Sequence, residues 1–458
     1  MSKTMNTAGK ALQSLLVLCI FLFGIVSTLG SLRNNDDGNG ITLIDLDPDT
    51  DTDSGDGGLT PNLSFTFDRG LPLYLSYKDG DSGSWQDVNV TQPSVGLNIS
   101  DPSGFFSLLA VCDYRAELRA YLFRTSLSRY KTDFLLCDDT DGESTYNLSG
   151  TIGYPGDNFT ARLSFTNAFR SNWYTLASGV GLNTAYSVDV ELDDDESTTV
   201  DLYYQVFTFG QFHLNVARAV DLSSNPTINY TPVASDVGET VSPDVSSYLG
   251  LPDYKGFRSK LDLFGTKVQF VEDDTSANPT FLKLPASKRQ GDDIYFTSVE
   301  RENAVTGGTQ VSKLIKLRNN PNNSLAFDEV PNYLPTLSFS SSVTDMLRVD
   351  YDSAYDNGVV GMDDAWRRLT LSNTAITWHV YQSSDRFDSS ISIPVEATSF
   401  SGWSVDWNMV STDLSRLTHY ATTSDKIAEL TDYLANEKQA DANQDGLDML
   451  QVSWRWAF

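Results

Sequence analysis

Phe105-Phe106-Ser107-Leu108-Leu109-Ala110-Val111-Cys112 follows directly on the turn-forming Asp101-Pro102-Ser103-Gly104. A continuous apolar run bounded by turn residues is expected for a buried sandwich strand. Upstream the pattern is period two: Leu63, Phe65 and Phe67 alternate with Ser and Thr, and Leu73, Leu75 and Tyr77 follow. A turn at Lys78-Asp79-Gly80-Asp81-Ser82-Gly83 precedes Trp85, which reopens a strand. Downstream, Leu118, Ala120, Leu122 and Phe134–Leu136 continue the series. Short strands between turns at this spacing predict an all-β, β-sandwich architecture.

The same reading extends along the chain. Leu148–Ile152, Ala161–Phe165, Tyr186/Val188/Val190, Val200–Val206 and Phe212/Leu214/Val216 predict a second antiparallel module over 144–232. Leu261, Leu263, Ile294–Phe296 and Leu314–Leu317 mark a β-rich region over 233–320, which ends in the turn-rich Asn319–Asn323. A C-terminal module over 321–458 holds strands at Leu337/Phe339, Leu347/Val349/Tyr351, Leu369/Leu371 and Ile376/Trp378/Val380. It also holds the one convincing helix, where Ser424 is expected to cap and Ile427, Leu430 and Leu434 share a face. The fold class expected is all-β, built of tandem β-sandwich modules (Ig-like or carboxypeptidase-regulatory-like) with one short C-terminal helix.

Ahead of these modules lie two segments of another character. Lys3 and Lys10 precede an uncharged run, Ala11–Leu32, with an apolar centre from Leu15 to Val26. Residues 1–32 read as a signal peptide or a signal anchor, which sends the rest of the chain outward and, if retained, anchors it in a membrane through 11–32. Cys19 sits inside that run after Leu18, where a lipidated cysteine would need a small residue before it. Residues 33–60 carry Asp45, Asp47, Asp49, Asp51, Asp53 and Asp56 among Thr, Ser, Pro and Gly, the composition of an extended, disordered acidic linker. Export leads to periplasm, cell envelope or the exterior. There the two cysteines beyond the signal, Cys112 and Cys137, are expected to form a disulfide.

The 458 residues contain 61 acidic and 32 basic side chains, a formal charge of −29. A surface this negative repels phosphate backbones, so nucleic acid is not an expected partner. A protein or glycan partner in the envelope is. Oligomeric state is not readable.

Tyr77-Lys78-Asp79-Gly80-Asp81, Trp85-Gln86, Asp101–Phe105 and Ala110-Val111-Cys112 together resemble a recurring module of uncharacterised bacterial exported proteins and lipoproteins. In that module a Gly/Asp-rich turn and Trp-Gln precede a strand ending in cysteine, and a second cysteine follows about two strands later. Cys137 stands at that second position. Ser149-Gly150-Thr151 is similar to carboxypeptidase-regulatory-like sandwich repeats. The likeness covers 61–232, and 324–420 more faintly. It implies a sandwich fold and an envelope location, and it assigns no catalytic residues.

A nucleophile needs a base, and the chain offers only His213, His379 and His419. His213 falls on the polar phase of its strand and His379 between Trp378 and Val380, so both read as solvent-facing or locally hydrogen-bonded. No nucleophile elbow, zincin, P-loop or dinucleotide motif is present. No enzyme activity is expected, and no cofactor apart from a weak Ca2+ site. That site is Asp441, Asn443, Asp445 and Leu447 with Gly446, the first half of a calcium loop after a helix. Met449 and Val452 replace its later ligands, so a plain helix-to-strand turn is the favoured reading of these residues. Trp85, Trp173, Trp366, Trp403 and Trp407 are either core residues or platforms for sugar rings.

The chain closes on Leu450, Val452, Trp454, Trp456 and Phe458 at alternate positions, as the closing strand of an outer-membrane barrel does. The charged stretches Glu191–Glu196 and Lys288–Asp293 argue for a sandwich instead. The function expected is a non-catalytic structural or binding protein of the envelope or exterior. The rivals are a secreted carbohydrate-active hydrolase and an outer-membrane β-barrel-associated protein.

Overall fold

The computed structural model describes residues 61–456 other than 68–69, 115–116, 135–136, 138–142, 166–173, 194–196, 209, 249–253, 264–265, 269–278, 292, 306–307, 328–336, 341–344, 352–360, 373–375, 388–389, 395–415 and 436–443. All described residues fall in the unit Leu43–Phe458. Residues 11–32, the acidic run 33–60, Asp441, Asn443, Trp173, Trp403 and Trp407 lie outside them.

The chain is all-β, 62% strand, with one short α-helix among the described residues. The first segment supplies β1 (Leu63–Thr66), β2 (Tyr74–Asp79), β3 (Trp85–Asp87), β4 (Ser94–Leu97), β5 (Phe105–Tyr114) and β6 (Glu117–Ser126). The second supplies β7 (Glu143–Phe165), β8 (Tyr174–Asp193), β9 (Thr199–Thr208) and β10 (Gln211–Asp221). Next come β11 (Glu239–Val241), β12 (Tyr254–Leu263), β13 (Thr266–Val268), β14 (Phe281–Lys283), β15 (Tyr295–Val305) and β16 (Gly308–Arg318). The last segment holds β17 (Leu337–Ser340), β18 (Asp345–Tyr351), β19 (Asp363–Ser372), β20 (Ile376–Ser383), β21 (Ser390–Pro394), β22 (Arg416–Thr422), α1 (Ile427–Ala435) and β23 (Asp448–Trp456).

One twelve-stranded sheet dominates, in the order β13-β12-β15-β16-β23-β22-β19-β20-β6-β5-β2-β3. It draws on three of the four segments read as modules; 144–232 keeps a four-stranded sheet of its own, β10-β9-β7-β8. Two joints make the large sheet continuous. β16 pairs antiparallel with β23 (Leu314 opposite Leu450), and β20 pairs parallel with β6, from Ile376 opposite Leu118 to Gln382 opposite Arg124. Among the described residues the order ends at β13 and β3, so the sheet is not a closed barrel. The terminal alternation serves packing: Leu450, Val452 and Trp454 are buried on an interior strand.

Both faces of this sheet carry core, which is why β5 lacks polar alternation. Phe106, Leu108 and Ala110 enter one core and Leu109 and Val111 the other. The first core is closed by Phe65, Val95 and Leu97 of the β1–β4 ribbon and by Ile427, Leu430 and Leu434 of α1. Trp366 is fully buried there and donates from Nε1 to Thr431 Oγ1 of α1 at 2.9 Å. The second core is closed by Phe281, Leu325, Phe327, Ile391 and Ile393. Cys112 and Cys137 are both buried, their sulfurs joined at disulfide distance with Cα atoms 5.1 Å apart. Ser424, expected to cap α1, instead lies within a 3-10 turn, Ser424–Lys426. That turn starts the helical segment one residue early, through Lys426 N donating to Thr423 O at 2.9 Å, so Thr423 takes the flanking place.

A buried ionic clamp ties the four-stranded sheet to the chain that follows it. Arg218 of β10 donates to Asp201 Oδ2 at 2.7 Å and to both oxygens of the fully buried Asp293, at 2.9 and 2.7 Å. Tyr203, Leu214, Leu284 and Tyr295 pack beside it.

Candidate binding site

The chemistry gathers on the face of the large sheet that carries the first core, at the strand ends away from α1. Residues opposite each other in a ladder share a face, so the pairings define rows. One row runs Phe123 (β6), Tyr381 (β20), Arg368 (β19), Thr418 (β22) and Ser453 (β23). The next, two residues along each strand, runs Tyr121, His379, Thr370, Arg416 and Arg455. Arg119 and Thr377 start a third. Phe123 is fully buried, whereas Arg119, Tyr121, Arg368, Thr370, Thr377, His379 and Arg416 are half-buried and Arg455 is exposed.

His379 stands at the centre of this half-buried region. Its ring stacks on Tyr121, with centroids 5.3 Å apart and planes 21° from parallel. Its Nδ1 lies 3.4 Å from Thr370 Oγ1. Burial, followed by the guanidiniums of Arg368, Arg119 and Arg416, pulls its pKa down to about 3. Arg368 lies over the Tyr381 and Tyr420 rings, 5.9 and 5.7 Å from their centroids, and reaches Tyr381 OH at 3.4 Å. Thr418 Oγ1 and Ser453 Oγ are 3.1 Å apart. The result is a surface of guanidinium, hydroxyl and aromatic groups held on five hydrogen-bonded strands. It can donate hydrogen bonds and positive charge. It is poorly suited to base catalysis, because an imidazole of pKa about 3 takes up almost no proton near neutrality.

The other two histidines are buried, and His213 meets the locally hydrogen-bonded alternative through the Val233 backbone. His213 is not solvent-facing: it is 2% exposed and packed against Tyr154, with ring centroids 5.0 Å apart. Its phase on β10 is covered by the chain at Val233–Val237, including a bridge to Val237, so polar alternation there did not mean water. Burial lowers its pKa, opposed by the Val233 backbone and the Asp236 carboxylate. His419 is buried as well, on the second-core face, where its Nδ1 accepts from Arg367 Nε at 3.2 Å and Trp454 meets it edge-on. Burial and then Arg367 hold it well below the usual histidine range.

Of the residues read as a calcium loop, Asp441 and Asn443 lie outside the described residues. Asp445 Oδ1 accepts from the Asn319 N–H at 2.9 Å. The Leu447 side chain is buried in the first core, and its carbonyl accepts from the Leu317 N–H at 2.9 Å. Trp366 is core, and Trp85 packs half-buried against the second core.

The residues of the cationic rows were missed in the sequence. The signal was present as phase: β6, β19 and β20 each read apolar on one phase and donor-rich on the other, with Arg119/Tyr121, Arg368/Thr370 and Thr377/His379. No protein-family model matches the chain, and no curated protein matches it.

Proposed function

We propose that this chain is an exported, non-catalytic structural and binding protein of the cell envelope. The observation that carries the reading is the half-buried patch of Arg119, Arg368 and Arg416 around His379 and Tyr121. Side chains locked on central strands of a sheet suit recognition, since little ordering is needed when a ligand docks. The imidazole beside Thr370, its pKa pulled down to about 3, favours recognition over general-base chemistry. The uncharged run 11–32, the acidic run 33–60 and the buried Cys112–Cys137 pair support an oxidising compartment outside the cytoplasm.

Two measurements on the full chain test this. Cell fractionation should recover it outside the cytosol. A glycan array run beside a panel of glycosidase substrates should show binding without turnover. Turnover that one Asp or Glu substitution abolishes would replace the binding reading with the hydrolase.

A further inference from the structure

We infer that the side chains of Lys283 and Asn320 join in an isopeptide bond, which the chain forms on itself with loss of ammonia. The cluster lies away from the arginine-lined patch, where β11 and β14 meet the turn after β16. Glu239 opens β11 and Lys283 closes β14, and the ladder sets them opposite each other. Asn320 lies in the turn that follows β16. That turn is held on β11 by Asn323 Oδ1, which accepts from the Ser242 N–H at 2.7 Å. Lys283 is 7% exposed. Its Nζ donates to Asn320 Oδ1 at 2.6 Å and to Pro321 O at 2.9 Å, and stands 3.5 Å from Glu239 Oε2. A C=O bond is about 1.2 Å long, so Asn320 Cγ lies within about 3.8 Å of that nitrogen.

The parts of an acyl transfer stand together here. Lys283 supplies the nucleophile. Burial, and then the Arg289 guanidinium, lower its pKa against the pull of Glu239, which raises the share of uncharged amine. Asn320 supplies an acyl carbon with a leaving group, where a carboxylate would give only an ion pair. Arg289 donates to Asn320 Oδ1, the atom on which negative charge gathers during attack. Its other terminal nitrogen reaches Glu239 Oε2 at 3.1 Å. Glu239 Oε1 also accepts from the Ala286 N–H at 2.7 Å, which fixes the carboxylate beside the amine. Pro321 has no N–H, so the backbone after Asn320 cannot attack the same carboxamide in competition.

The step balances without a co-reactant. Glu239 takes a proton from the Lys283 ammonium, which leaves a lone pair on Nζ beside Cγ. Nζ attacks Cγ, and the C=O electron pair moves onto Oδ1 against Arg289. Glu239 passes protons from Nζ to Nδ2, the oxyanion collapses, and the Cγ–Nδ2 bond breaks. Of the three ammonium protons of Lys283, one stays on the new amide and two leave on the Asn320 nitrogen, which departs as ammonium. Nothing is oxidised or reduced. The reaction occurs once per chain, so it differs from turnover of a substrate, and it stands whether or not the arginine-lined patch binds a ligand. The bond spans 37 positions and ties the β11–β14 ribbon to the end of β16 in the large sheet.

Mass spectrometry of the full chain tests the inference, with the disulfide reduced and the N-terminal residue identified. The wild type should weigh less than its sequence by one ammonia, about 17 Da. Lys283→Met and Asn320→Ala should each show their full sequence mass. Glu239→Gln should convert at least about 100-fold more slowly, the usual contribution of a proton-transfer group. Trypsin does not cut after an acylated lysine, so the wild type should yield a branched peptide joining 268–288 to 319–348. Full sequence mass in the wild type without that peptide overturns the inference. So does ammonia loss that persists in Lys283→Met, or conversion in Glu239→Gln as fast as in the wild type. The branched peptide is read in the wild type itself, so the test decides even if a variant fails to fold.

Discussion

Two neighbouring rows on one face of the large sheet behave in opposite ways. Phe123 is sealed under Tyr130 and Phe134, with ring centroids at 5.4 and 5.2 Å, and stacks on Tyr381 at 4.9 Å. Two residues along the same strand, Tyr121 stacks on His379 at 5.3 Å in a half-buried, arginine-lined region. Both pairs join β6 to β20 in the same parallel ladder. The difference comes from what lies above: α1 and the β1–β4 ribbon close the first core. One continuous sheet therefore divides stability and recognition along its length, within about 7 Å.

The comparison breaks first at the dry end. Trp366→Ala empties the space beneath α1 and removes the indole donor to Thr431, and should destabilise the protein by about 3–5 kcal/mol in chemical denaturation. A loss under about 1 kcal/mol would show that this end does not hold the fold together. Reduction of Cys112–Cys137 comes next. The bond closes a sequence separation of 25 residues, and its loss should lower stability by about 3 kcal/mol.

His379 sharpens the contrast through pH. Its folded pKa, about 3, is depressed below the unfolded value near 6.5. The unfolded chain therefore takes up the proton first on acidification. The stability this supplies is complete above pH 6.5 and is lost as pH falls from there toward 3. The denaturant midpoint of the wild type should drop more steeply between pH 7 and pH 4 than that of His379→Gln. Parallel curves would contradict the burial and the arginine field assigned to this imidazole. The smallest effect belongs to Arg416→Gln, at a half-buried side chain of the patch, which should change stability by no more than about 1 kcal/mol. A large loss of stability there would make the arginines structural.

Much of the strand content was legible because burial on one face writes a period of two. The run Phe105–Val111 announced a buried strand, and the structure adds that it feeds a core on each face. The helix face Ile427/Leu430/Leu434 was legible for the same reason at period 3.6. Strand partners were not legible. The pairing of Ile376–Gln382 with Leu118–Arg124 joins residues more than 250 positions apart, and a period-two pattern names the faces of a strand, not its neighbours. The cationic patch was hidden with it, since Arg119, Arg368 and Arg416 come onto one face only through that joint and the β19–β22 ladder. His213 was legible only as far as its two alternatives, and the locally hydrogen-bonded one holds, through the Val233 backbone. Its polar phase faces a covering segment, and sequence phase cannot tell a neighbour of that kind from water.

Hydrogen–deuterium exchange of the full chain addresses the shared sheet and its divided face together. β6 and β20 should exchange slowly, as central strands do, with the sealed stretch 122–126 slower than the half-buried 118–121. Fast exchange throughout either strand would contradict the account.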